Sequence, residues 1–140
     1  MSNVKSGIAW SEIYALGEPN VDMQHKMLFE QLSSLIDSCE GGTQLEKVKD
    51  ALDFLVGYTV RHFNDEEALQ ISCGYPEYEN HKKLHEDFKV TVGELVGTFK
   101  ESGSTAELSS ALHRVVVKWL ITHIQGEDKK IGAFLEEKKK

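Results

Sequence analysis

The chain has 140 residues, 40% of them apolar, which suits one hydrophobic core and is too little for two ordinary domains. Its 23 acidic residues outnumber 16 basic ones, a formal charge of -7, so phosphate backbones and anionic lipid surfaces are poor partners. The longest aliphatic run, Val115 to Val117, is cut by Lys118, and the opening MSNVKSGIAW lacks a signal peptide's apolar centre, which predicts a single soluble, cytoplasmic domain over residues 1–140.

Only two prolines occur and 28% of residues are charged, spread through long stretches without glycine, a pattern that favours helices. An arm over residues 1–20, carrying Trp10 and Tyr14, precedes the first helix. Three breaks follow: Gly41-Gly42 before Thr43-x-x-Glu46, Gly74 before Tyr75-Pro76, and Gly103 before Ser104-x-x-Glu107. Each pairs a glycine stop with a capping signal or a proline suited to a first helical turn. The breaks predict helices at about 21–39, 44–72, 76–101 and 105–134. Connections this short make neighbours antiparallel, so the expected fold is all-α, an antiparallel up-down-up-down four-helix bundle with an N-terminal arm. The terminal Lys138 to Lys140 reads as a solvated tail.

Each helix carries an apolar seam at alternating three- and four-residue spacing. The first runs Val21, His25, Leu28, Leu32, Leu35, Cys39, and the second Leu52, Leu55, Thr59, His62, Glu66, Leu69. The third runs Tyr78, His81, His85, Phe88, Val92, Leu95, Phe99, and the fourth Leu108, Leu112, Val116, Trp119, His123. Five of the six histidines and one glutamate thus fall on core positions. Burying them unpaired would cost several kcal/mol each, roughly, unless a common partner satisfies them.

A single buried histidine usually finds a carbonyl, but these side chains share one layer. In an up-down bundle the starts of helices one and three and the ends of two and four meet at one end. At 1.5 Å per residue the six groups fall within roughly 5 to 15 Å of it. His81 with His85, and His62 with Glu66, are spaced i, i+4, which lets both members of a pair bind one ion. A further carboxylate on the fourth helix is less clear. Glu127 is the periodic choice after His123, whereas Asp128 at i+5 is rotated by about 140° and needs a tightened or π-type turn, for which Gly126 offers freedom. His113 lies outside the layer and reads as a rim residue. Cys39 and Cys73 end antiparallel helices, too far apart for a bridge that needs Cα atoms within about 7 Å.

The pattern resembles the hemerythrins, in particular their bacterial single-domain members, over nearly the whole chain. The residues that carry the resemblance are Trp10, Asp22-x-x-His25-Lys26, His62-Phe63-x-x-Glu66-Glu67, Gly74-Tyr75-Pro76 with His81-x-x-x-His85, and Trp119-x-x-x-His123-Ile124-x-x-x-Asp128-Lys129. The family's spacing selects Asp128 over Glu127. The resemblance implies two iron ions: one held by His81, His85 and His123, the other by His25 and His62. Glu66 and Asp128 would bridge them beside a solvent-derived oxo or hydroxo group, leaving the second iron one open position for dioxygen. Leu28, Phe63, Trp119 and Ile124, each within a turn of a ligand, would form the oxygen pocket. The stretch Ala68 to Ile71 lacks a methionine common in bacterial members, a departure that bears on pocket shape rather than on metal binding.

Imidazole and carboxylate donors suit several first-row metals, so spacing does not choose iron. No Glu-x-x-His motif of the ferritin-like oxidases occurs. Reversible dioxygen binding, for transport, storage or delivery to an oxygen-consuming enzyme, is the leading expectation, and no catalytic residue is assigned. The alternatives are an oxygen or redox sensor acting through a signalling partner, and a di-iron enzyme consuming peroxide or nitric oxide.

Overall fold

A computed structural model describes residues 8–139. The expected arm begins at residue 1, so its first seven positions and Lys140 of the tail lie outside that range. A short 3-10 turn, Glu12–Tyr14, is followed by α1 (Pro19–Glu40), α2 (Leu45–Cys73) and α3 (Tyr78–Ser102). A fourth helical run, residues 105–138, is α-helical except for two π-helical segments, Leu112–Val117 and Ile124–Asp128. No strand occurs among the described residues. The helices pack antiparallel in a ring, α1 against α2 and the fourth helix, α2 against α3, and α3 against the fourth.

The breaks fall where the glycines predict them, with local corrections. Gly74 and Gly103 end α2 and α3 in the left-handed conformation, at φ 72° and 65°. Ser104 Oγ accepts from the Glu107 backbone amide at 3.2 Å and caps the fourth helix. Thr43 does not cap α2, because the Gly41-Gly42 turn carries the chain one residue further and Gln44 takes the cap position without a side-chain bond. Pro76 does not open α3, which begins at Tyr78; the proline sits in the intervening turn. Pro19 instead occupies the first turn of α1, two residues before the expected start, where its missing amide donor is harmless. Lys138 is not a free tail: it ends the last helical segment, and its ammonium donates to the Cys73 carbonyl at 2.7 Å.

The core takes in seam positions and apolar residues beside them, such as Phe29, Ile36 and Ile131. Phe29, Leu32, Ile36, Leu52, Leu112 and Ile131 are almost wholly buried, each contributing about 1.5–3 kcal/mol relative to exposure. The arm is clamped across α1: Asp22 accepts from the Leu16 and Gly17 amides at 2.8 and 3.1 Å, and Tyr14 stacks on Phe29. Gly132 of the fourth helix permits that path, since a Cβ there would come within 2.5 Å of the Leu16 carbonyl oxygen. Cys39 and Cys73 are free thiols, and His113 is exposed, 3.8 Å from Glu40. No helix among the described residues is long and apolar enough to cross a membrane.

Candidate metal centre

Helix periodicity aims His25 from α1, His62 and Glu66 from α2, His81 and His85 from α3, and His123 from the fourth helix into one buried layer. Asp128 joins them because residues Ile124–Asp128 form a π turn, in which the Lys129 amide reaches back five residues to the Ile124 carbonyl. Glu127 stays at the flank, 3.7 Å from Lys130. Gly126 is not what the turn requires: its φ lies outside the left-handed region, and a Cβ there would meet nothing within 4 Å.

Among the described residues two sets of buried donors converge: Glu66, His81, His85, His123 and Asp128, and His25, His62, Glu66 and Asp128. Both carboxylates belong to both sets, and their oxygens divide between them. Glu66 Oε1 lies 2.8 Å from His81 and 3.2 Å from His85, whereas Oε2 faces His62 at 3.2 Å and His25 at 3.6 Å. Asp128 Oδ1 lies 3.1 Å from both His81 and His123, and Oδ2 lies 3.0 Å from His25.

Apart from the 2.8 Å pair of His81 Nε2 with Glu66 Oε1, these contacts are poor hydrogen bonds and good chelate edges. His25 Nε2, Glu66 Oε2 and Asp128 Oδ1 are buried without an aligned hydrogen-bond partner despite their close neighbours. His123 Nε2 lies 3.1 Å from His81 Nε2 and 3.2 Å from His85 Nε2, three imidazole nitrogens turned to one point. With an ion about 2.1 Å from each donor, ligands at right angles stand about 3.0 Å apart and tetrahedral ones about 3.4 Å. Most of the spacings match the former, and five donors exceed a four-coordinate zinc site.

Two side chains outside the seam fix ring tautomers. Glu67 Oε2 lies 2.8 Å from His85 Nδ1, and a carboxylate accepts only, so that nitrogen carries a proton and Nε2 is turned to Glu66 and His123. Gln24 donates from Nε2 to Asp65 Oδ2 at 2.8 Å, which turns its Oε1 toward His62 Nδ1 at 2.7 Å. With Nδ1 directed at Gln24, Nε2 of His62 is turned to the Glu66 carboxylate, where a shared cation would be held between them. Glu67 and Gln24 do not emerge from seam spacing. The usable signal is a polar residue directly beside a seam ligand.

The cluster attracts positive charge. Burial works to lower the pKa of His25, but the adjacent Asp128 and Glu66 outweigh it and raise the ring to about 9. The same balance raises His81 to about 9. Burial works to raise the carboxyl of Glu66, yet its histidine neighbours hold it well below its ordinary value. For Asp128, burial and then the repulsion of Glu66 are overcome by His123, and the carboxyl stays depressed.

Beside the cluster is a small cavity of about 20 Å³, lined by Leu28, Leu55, Thr59, Phe63, Phe88 and Trp119 among others. Phe63 stacks on His85 at 3.9 Å, and Trp119 stacks on His123 at 4.2 Å. Leu28, Phe63 and Trp119, three of the four residues assigned to an oxygen pocket, thus line one cavity. Ile124, the fourth, does not line the cavity and is fully buried in the core.

Comparison with known proteins agrees with this chemistry. Residues 17–135 match the family described as "Hemerythrin HHE cation binding domain". The chain is 31% identical to the bacteriohemerythrin of Stenotrophomonas maltophilia over 86% of its own length and 76% of that protein. It is 32% identical to the myohemerythrin of Theromyzon tessulatum, covering 85% and 86% of the two. With the bacteriohemerythrin of Campylobacter jejuni it shares 31% identity over 91% and 94%.

Proposed function

Because the chain belongs to the hemerythrin family, we propose that its buried cluster holds two iron ions and binds dioxygen reversibly, as a carrier, a store or a local supplier. In this reading His81, His85 and His123 hold one iron and His25 and His62 the other. Glu66 and Asp128 bridge the pair, with a solvent-derived oxo or hydroxo group as the third bridge. Bound ferrous ions supply the two electrons that dioxygen takes up on binding and returns on release.

The observation that supports this most is the inequality of two donor sets joined by two shared carboxylates. Five protein donors with a solvent bridge would complete one octahedral shell, and four would leave the other one short. The cavity supports binding rather than catalysis. Its volume of about 20 Å³ admits one small molecule, and no titratable side chain lines it. The hydroxyl of Thr59 donates to the Leu55 carbonyl at 2.8 Å and so turns away from any guest. Trp119 stacks on Phe88 and meets Phe63 edge to face, an aromatic wall that excludes water and anions and so slows loss of electrons to solvent species.

The test is an optical spectrum of the purified protein after anaerobic reduction, on admission of air, and after removal of oxygen, with iron counted per chain. A charge-transfer band that comes and goes with oxygen, at about two irons per chain, is the expected result. Immediate decay to the oxidised form would favour a sensor or an enzyme. A colourless zinc protein would overturn the oxygen reading.

A further inference from the structure

The two halves of the cluster differ in what stands behind them. Of the five rings, His85 and His62 donate from Nδ1 to a side-chain oxygen, whereas Nδ1 of His25 and His81 is buried without a partner. The acceptor behind His85, on the five-donor side, is the buried carboxylate of Glu67. Behind His62, on the four-donor side, it is the neutral amide of Gln24, held in orientation by Asp65. A carboxylate behind a ligating imidazole makes the ring a stronger donor; an amide fixes its direction with far less transfer of charge.

We infer that Glu67 and Gln24 are positioning residues that make the two metal positions unequal, Glu67 raising metal retention and the stability of the ferric state on the His81/His85/His123 side, and Gln24 orienting His62 on the other. The inference rests on the two-metal reading above. It gives the halves separate roles: the complete side is anchored and readily oxidised, and the incomplete side is held in place without added charge. Glu67 and Glu66 are neighbours on α2, so one turn of helix supplies both a bridge and the charge behind His85.

The experiment compares the unaltered protein with Glu67→Gln, Gln24→Met and the double variant, each with its metal content measured. Release of bound metal to an excess of chelator is timed. The one-electron oxidation steps are followed optically as ferricyanide accepts the electrons. Glu67→Gln keeps the acceptor atom and the volume but removes the charge. It is expected to speed release of one ion about 10–100-fold and to shift the first oxidation equilibrium at least about tenfold toward ferrous. Gln24→Met is expected to speed release of the other ion and leave that first step in place, and the double variant to show both effects in separate phases. Equal acceleration of both ions by either variant, loss of both ions from Glu67→Gln, or unchanged release and oxidation would overturn the inference. A protein carrying only zinc would sink the oxygen reading, while the release phases would still decide this one.

Discussion

His123 Nε2 and Asp128 Oδ1 lie 3.1 Å apart although they stand five positions apart in the chain. On a regular helix that spacing turns the second side chain about 140° away from the first. The π turn at Ile124–Asp128 removes the difference and leaves Glu127 outside the cluster. Asp128→Ala is therefore expected to lose metal, and Glu127→Ala to keep its full complement. Metal analysis of the two purified variants checks this, and full metal in Asp128→Ala would show that the carboxylate is dispensable.

Gly126 sits in the same turn with ordinary helical geometry and open space where a Cβ would go. Gly126→Ala is expected to retain metal and to gain about 0.5–1 kcal/mol from the smaller backbone entropy of the unfolded chain. Chemical denaturation measures the gain. A loss of metal or stability would mean that the turn needs glycine after all.

The seam made most of this site legible. Alternating three- and four-residue spacing marks His25, His62, Glu66, His81, His85 and His123 as inward, and short glycine breaks bring them to one end of the bundle. Periodicity misses Asp128 because a π turn changes the helical register, which a fixed period does not encode. Gln24 and Glu67 escape for a related reason. They flank seam positions, and only the packing of α1 on α2 and of α2 on α3 shows which ring each reaches.

Stripping the metal with a chelator should expose a defined pH dependence. His25 and His81, raised from 6.5 to about 9, contribute stability that is fully present below pH 6.5 and lost as pH rises through 9. Glu66 and Asp128, held below 4.5 and 3.8, contribute stability that is present above those values and lost on further acidification. The stripped protein is therefore most stable between about pH 4.5 and 6.5. Metal uptake at neutral pH should displace protons from the two rings, so affinity rises toward pH 9. Unfolding curves across pH, and proton release on adding metal to weakly buffered protein, check both. Flat stability from pH 6.5 to 9 would contradict the assignment.

Trp119 lies between the cavity and solvent, stacked on Phe88 at 3.9 Å and on His123 at 4.2 Å. Trp119→Ala opens that wall without removing a proposed ligand. It is expected to retain iron, to lose about 3 kcal/mol of stability, and to shorten the life of the oxygenated form, with Trp119→Phe intermediate. The decay of the visible band in air reports the lifetime. An unchanged decay with iron retained would show that this wall does not guard the site.

Gln70 lies one helical turn beyond Glu66 and is wholly buried, yet neither its amide nitrogen nor its side-chain oxygen has a hydrogen-bond partner. Its backbone is well used: the Gln70 carbonyl accepts from the Tyr75 amide at 2.9 Å and helps to end α2. The side chain is the anomaly, since an unpaired buried amide costs about 1–3 kcal/mol. Gln70→Met keeps the length and removes both polar atoms, so it is expected to raise stability by about 1 kcal/mol and the thermal midpoint by a few degrees. Calorimetry of the metal-loaded protein measures this. A fall in stability would instead reveal that the amide holds an internal water, which needs polar partners of its own. On the neighbouring helix, Nδ1 of His81 is likewise buried and unpaired. Weaker metal retention accompanying that fall would tie Gln70 to the centre through such a water, whereas unchanged retention would confine its role to the fold.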